Sequence, residues 1–179
     1  METETETNSE EVFHRALNRL KRDRNVLKMQ QFSQHRGNTT YQHCVNVAKC
    51  SFYLAQKLHW NIDENALATG AMLHDYYLYT ATEEPVNGYR HGIDHPVIAL
   101  HNAEEIWDLN ECERNIIYSH MFPLTITKIP HHKEAWLVSM ADKYCALREA
   151  STGREGNKEI EPGANTPWIS RLFRRRQVA

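Results

Sequence analysis

Residues 63–80 read DENALATGAMLHDYYLYT, and this stretch decides the fold. Its apolar positions recur at helical spacing, which predicts a helix with Asp63 as its N-cap. Within that helix stand His74 and Asp75. Asp75 shares a face with Ala71, Met72 and Leu78, where an ionised carboxylate costs several kcal/mol unless it is paired or ligated.

Working outward, the same periodicity recurs on both sides. Residues 41–58 predict a helix with Thr40 as N-cap and with Val47, Cys50, Leu54 and Leu58 on one stripe. Before it, Phe13, Ala16, Leu17, Leu20 and Leu27 fall at helical spacing over 11–30. Residues 1–10 are acidic, carry no basic residue and are expected to form a disordered tail. Downstream, Pro85, Asn87-Gly88 and Gly92 mark 81–94 as a loop. Helices are expected near 95–108, 110–121 and 132–149, with Pro123 and Pro130 bracketing a connector. No segment alternates long enough for a strand. The expected architecture is an all-α helical bundle of about six helices over 11–150. A flexible, arginine-rich extension over 151–179 ends in RLFRRRQVA.

At 179 residues and 21.0 kDa the chain has room for one domain. Its net charge of −2 gives no global field for nucleic acid, leaving only weak contact by the arginine-rich tail. No apolar run is long enough to span a membrane, and the acidic N-terminus has no apolar signal core. The four cysteines form no CxxC pair and read as free thiols, which fits a cytoplasmic location. Histidine is unusually frequent, at 11 of 179 residues, and it is the commonest metal ligand.

Several of these histidines stand where apolar residues belong. His43 shares a face with Val47 and Cys50, and His120 follows Ile116 and Ile117 by one turn. Asp142 lies one turn from Val138 and Ala146. Taken singly, each has a simpler explanation. A core histidine can be hydrogen-bonded, His74-Asp75 can be a buried pair, and Asp142-Lys143 can be an ion pair at a helix surface. Taken together, imidazoles and carboxylates on separate core-facing stripes share one explanation, a cation in the bundle core.

The segments TTYQHCVNVA, AMLHDYYLY, DHPVIAL, IIYSHMFPL and VSMADKYCAL together resemble the HD-domain metal-dependent phosphohydrolase superfamily over about residues 35–150. His74-Asp75 is similar to its signature doublet, with His43 31 residues earlier and Asp142 67 residues after Asp75. The resemblance implies an HD-domain bundle in which His43, His74, Asp75 and Asp142 hold one ion. His95 and His120 match positions that complete a second ion in dinuclear members, with Asp75 bridging. Two departures stand out. Leu78 occupies a position where many relatives have lysine, and the absence of a GYP motif argues against cyclic-dinucleotide hydrolysis.

Four histidines and two carboxylates without a thiolate suit one or two divalent ions such as Fe, Mn, Zn or Co. The chemistry implied is attack of a metal-activated water on phosphorus, cleaving a phosphoester or phosphoanhydride of a nucleotide-like small molecule. Asp75 and Lys143 are the expected catalytic residues, Lys143 because it adjoins a ligand position. Substrate contacts are expected from His35, Arg36, Arg90, His91, His131 and Lys133. Tyr76, Tyr77 and Tyr79 read as core or pocket wall. His14, His59 and His101 read as surface residues. The competing reading is a non-catalytic HD-fold module that binds metal or nucleotide as a regulatory ligand. Monoester, anhydride and diester substrates all remain compatible with the ligand set.

Overall fold

Helix α2 (Thr40–Leu58) is the central element of the computed structural model, which describes residues 2–35, 38–80 and 88–152. Its buried positions include Val45, Val47, Ala48, Cys50, Phe52, Leu54 and Ala55, and it packs against both α6 (Lys133–Thr152) and α3 (Glu64–Leu73). The cap lies one residue earlier than the sequence predicts. Thr39 accepts a hydrogen bond from Gln42 N at 3.2 Å, and Thr40 is buried. At the other end His59 adopts a left-handed conformation (φ 52°), and Trp60 N donates back to Ala55 O at 3.0 Å, closing the last turn.

Helix α1 (Glu2–Lys21) corrects two expectations at once. The stretch over 1–10 read as a disordered tail is helical from Glu2, and glutamates near a helix start favour its positive end. The helix also stops at Lys21 instead of reaching residue 30, and a separate 3-10 helix, Val26–Gln31, carries Val26 and Met29 into the core. Phe13 of α1 stacks on Phe52 of α2 with ring centroids 4.2 Å apart. A two-stranded hairpin, β1 (Ser33–His35) and β2 (Asn38–Thr39), then leads into α2, a small antiparallel element where no strand was expected.

Helix α3 starts where expected, with Asp63 accepting from Ala66 N at 2.9 Å. It ends at Leu73 rather than near residue 80. His74 to Tyr77 form a turn, and Leu78 has φ 56°. The apolar run continues through Tyr76 and Tyr77 because both are buried, so hydrophobicity alone does not reveal the turn. Helix α5 (Glu111–Ser119), capped by a reciprocal Asn110–Glu113 pair, crosses α3 closely. A Cβ on Gly70 would come within 2.6 Å of the Ile116 side chain, so only glycine fits this contact.

Helix α4 (Gly88–Glu104) begins inside the stretch expected to be a loop over 81–94. Pro96 lies within it and forgoes the bond to the carbonyl four residues back. Lys128 in the 121–130 connector donates to Ile93 O at 2.7 Å and so ties the connector to α4. Among the described residues the fold is thus six α-helices, one 3-10 helix and one tiny hairpin, an all-α bundle. None of its helices is long and apolar enough to cross a membrane. Apart from the end of α6, the segment expected to form the basic tail over 151–179 lies outside the described residues.

Candidate metal centre

The centre assembles where α3 and α5 end and where α2, α4 and α6 pass. His74 is the C-cap of α3, His120 is the C-cap of α5, and Asp75 sits in the turn after α3. These three were expected on helices and instead lie just beyond helix ends. The placement has an electrostatic consequence, because helix C-termini carry partial negative charge and favour a cation. Asn102 of α4 holds the turn by donating to Tyr76 O at 3.1 Å and Tyr77 O at 3.4 Å.

Asp75 occupies the middle. Its Oδ2 lies 3.4 Å from His74 Nε2 and 3.8 Å from His43 Nε2. Its Oδ1 lies 3.3 Å from His95 Nε2 and 3.4 Å from His120 Nε2. One carboxylate therefore faces two imidazole pairs, one with each oxygen. Asp142 Oδ1 completes the first group, 3.1 Å from His43 Nε2 and 3.8 Å from His74 Nε2. In the second group His95 Nε2 and His120 Nε2 stand 2.8 Å apart. All six side chains expected from the sequence converge, and all are buried.

The orientation of the rings is fixed from behind. His74 Nδ1 donates to Ala71 O and His120 Nδ1 to Ile117 O, each at 2.8 Å. His43 Nδ1 donates to Glu149 Oε2 at 2.9 Å, and Asn46 donates to the other Glu149 oxygen at 3.5 Å. With Nδ1 engaged, Nε2 is the nitrogen each of these rings turns toward the carboxylates, the arrangement by which ligating histidines are held. Lys143 donates to His120 O and lies 3.2 Å from Asp142 Oδ2, so it braces both groups from the edge.

Burial and charge act strongly on these groups. Burial alone would lower the His43 imidazole, but its hydrogen bonds to Asp142 and Glu149 outweigh that and lift it to about 10. Burial pushes His120 down to about 4, helped by His74 and His95 and opposed by Asp75. Against the upward push of burial, His74 and the neighbouring imidazoles hold Asp75 well below the ordinary carboxylate range. His43 and His74, aided by Lys143, do the same for Asp142.

The residues fit a divalent cation. His74 Nε2 and Asp75 Oδ1 are buried with no hydrogen-bond partner among the described residues, a costly condition that a cation in each one's group would relieve. Two ligand groups result, His43–His74–Asp75 and Asp75–His95–His120, and in each the donor atoms lie within 4.8 Å of one another. Nitrogen and oxygen donors without sulfur match first-row divalent ions.

Other expected residues fall elsewhere. His131 is exposed and held through its backbone by Asn115, while Lys133 Nζ donates to Asn61 O beyond the start of α3. Lys133 precedes Asp142 by nine residues, about 13 Å along α6, so neither it nor His131 joins the centre. Arg36 lies outside the described residues, as do the side chains of His35, Arg90 and His91. Tyr76 is core, packed on Trp107, whereas Tyr77 sets its ring edge-on to His95 at 5.7 Å. Two contributors escaped the sequence reading. Glu149 had a usable signal, standing seven residues and two turns after Asp142 on the same helical face. Gln34, which donates to Asp75 Oδ2 from β1, had none, because a strand this short leaves no periodicity.

An all-α frame that turns four imidazoles and two carboxylates onto one buried point defines a helical protein with a candidate divalent-metal centre. The family model described as HD domain matches residues 40–147, more than half of the chain, and the chain belongs to this family. HD-domain proteins are generally metal-dependent phosphohydrolases. Comparison with curated proteins and with solved structures finds no match.

Proposed function

We propose that this protein is a metal-dependent phosphohydrolase that cleaves a phosphoester or phosphoanhydride of a small nucleotide-like molecule. The observation that carries this reading is the position of Asp75, with one oxygen toward His43 and His74 and the other toward His95 and His120. A carboxylate so placed serves two cation positions at once. His43, His74, Asp75 and Asp142 would hold one ion, and Asp75, His95 and His120 a second, of the Fe, Mn, Zn or Co type. When bound, such ions supply Lewis-acid polarisation of phosphoryl oxygens and lower the pKa of water toward neutrality.

The chain's own residues do the positioning. Nδ1 anchors on Ala71, Ile117 and Glu149 keep three imidazoles from swinging, so the donor atoms need little reorganisation. Lys143 places an ammonium beside Asp142, within reach of negative charge that develops on a transferring phosphoryl group. Tyr77 sets its ring edge-on to His95 and Tyr79 is tilted against Tyr77 at 4.6 Å, an aromatic pair beside the centre suited to a nucleobase. Four free thiols and the membrane-free set of described helices fit a cytoplasmic site of action.

The test is elemental analysis combined with phosphate release from nucleotides and a generic phosphoester, with manganese or iron(II) under reducing conditions. Wild-type protein is expected to carry bound transition metal and to release phosphate. Asp75→Ala is expected to lose both, and full hydrolysis by that variant overturns the reading. Metal retention without turnover of any phosphorylated compound would favour the regulatory module instead.

A further inference from the structure

A second group of potential ligands lies at the opposite ends of α5 and α6. Cys112 stands in the first turn of α5, and His132 and Glu134 flank the start of α6. Cys112 Sγ donates to Glu134 Oε2 at 3.6 Å. One donor atom from each of Cys112, His132 and Glu134 lies within 4.8 Å of the other two. Glu134 is buried, and Cys112 and His132 are half-buried, so the group opens to solvent on one side. The remaining oxygen of Glu134 accepts from Asp63 N at 2.8 Å, which connects the group to the cap of α3.

The electrostatics favour a cation. The carboxylates of Glu134, Asp63 and Glu113 act on Cys112 as nearby negative charges, and a cation is attracted to such a point. The one lysine whose contact is described nearby, Lys133, is directed to Asn61 O. Three ligand types converge here from two elements, one sulfur, one nitrogen and one oxygen. That set suits zinc, and it differs from the sulfur-free centre described above.

We propose that Cys112, His132 and Glu134 form a further divalent-cation site of zinc type, which clamps the start of α5 to the start of α6. Cys112 precedes His120 by eight residues and Glu134 precedes Asp142 by eight, about 12 Å along each helix. The two sites therefore share no ligand. On binding, the Cys112 S–H bond gives its proton to solvent and the sulfur electron pair is donated to the ion, with no redox change. Through the Glu134–Asp63 bond the clamp also reaches α3. It thus fixes the far ends of the three helices whose other ends or middle carry His74, His120 and Asp142. The inference needs no assumption about turnover at the His/Asp centre.

The test loads the full chain with cobalt(II) or zinc. Cobalt-loaded wild-type protein is expected to show a thiolate-to-cobalt charge-transfer band and to bind one ion more than Cys112→Ser. His132→Ala should lose the same band, which guards against a Cys112→Ser variant that fails to fold. Asp75→Ala should keep the band while losing the ions of the other centre. Zinc should raise the melting temperature of Asp75→Ala but not that of the Asp75→Ala/Cys112→Ser double variant. Absence of a thiolate band in the wild type, its persistence in Cys112→Ser, or equal ion content in wild type and Cys112→Ser overturns the proposal.

Discussion

At the scale of single residues, the candidate ligand histidines depend on what holds them from behind. Replacing Glu149 by alanine leaves His43 Nδ1–H without the partner it has at 2.9 Å. Loss of a carboxylate that orients a ligating histidine costs about 10–100-fold in metal affinity. The expected outcome for Glu149→Ala is a loss in that range, read by competition with a metal indicator, with Glu149→Gln recovering part of it because an amide oxygen still accepts the bond. A second prediction separates the two halves of the centre. His95→Ala or His120→Ala is expected to cut the ion content of the His/Asp centre by about half, as each serves only the second position. Unchanged content in both variants would leave a single ion held by His43, His74, Asp75 and Asp142.

Four of the six candidate ligands, His43, Asp75, His120 and Asp142, were legible at this scale because polar residues on apolar stripes violate the pattern that makes a core, whereas His74 and His95 were legible through the family resemblance. Glu149 obeyed the same rule but sits at the end of the expected helix, where charge normally means solvent exposure. Gln34 was illegible because an amide on a three-residue strand breaks no pattern.

At the scale of elements, the crossing of α3 and α5 determines how His74 meets His120. Gly70 has no Cβ, and adding one puts carbon 2.6–2.7 Å from three atoms of Ile116. Gly70→Ala is expected to destabilise the fold by about 1–3 kcal/mol, although alanine is the better helix former by about 1 kcal/mol. Chemical denaturation measures the first effect. A fall in metal affinity larger than for a surface Gly→Ala change would show that α5 has shifted and carried His120 with it. Helix interiors were readable from periodicity, as was the Asp63 cap of α3, but several other ends were not. The turn after Leu73 is hidden because Tyr76 and Tyr77 stay buried, and the early start of α4 is hidden because Asn87-Gly88 and Gly92 read as loop. At the turn after Leu73 tertiary packing overrides local propensity.

At the scale of the whole molecule, five segments distant in sequence meet at the centre, so an ion bound there crosslinks the bundle. Chelation should therefore lower the melting temperature. A ligand at 100 times its dissociation constant contributes about 2.7 kcal/mol to a fold it binds selectively. Restoring manganese or iron(II) should reverse the shift, less completely in mildly acidic buffer, where protons compete for the imidazoles. A melting temperature indifferent to chelator would mean that the pocket is organised without ions.

Lys143 adds a consequence for the order of events in the proposed reaction. With His43 and His74 held protonated by the carboxylates beside them, His43, His74 and Lys143 only balance Asp75, Asp142 and Glu149, leaving the metal-free chamber without net positive charge. Such a chamber offers a phosphate dianion no net attraction. A pair of divalent ions would make the chamber positive and favour capture. Arrival is thereby ordered, metal before phosphate, and inorganic phosphate should protect the loaded protein against heat while leaving the chelated one untouched.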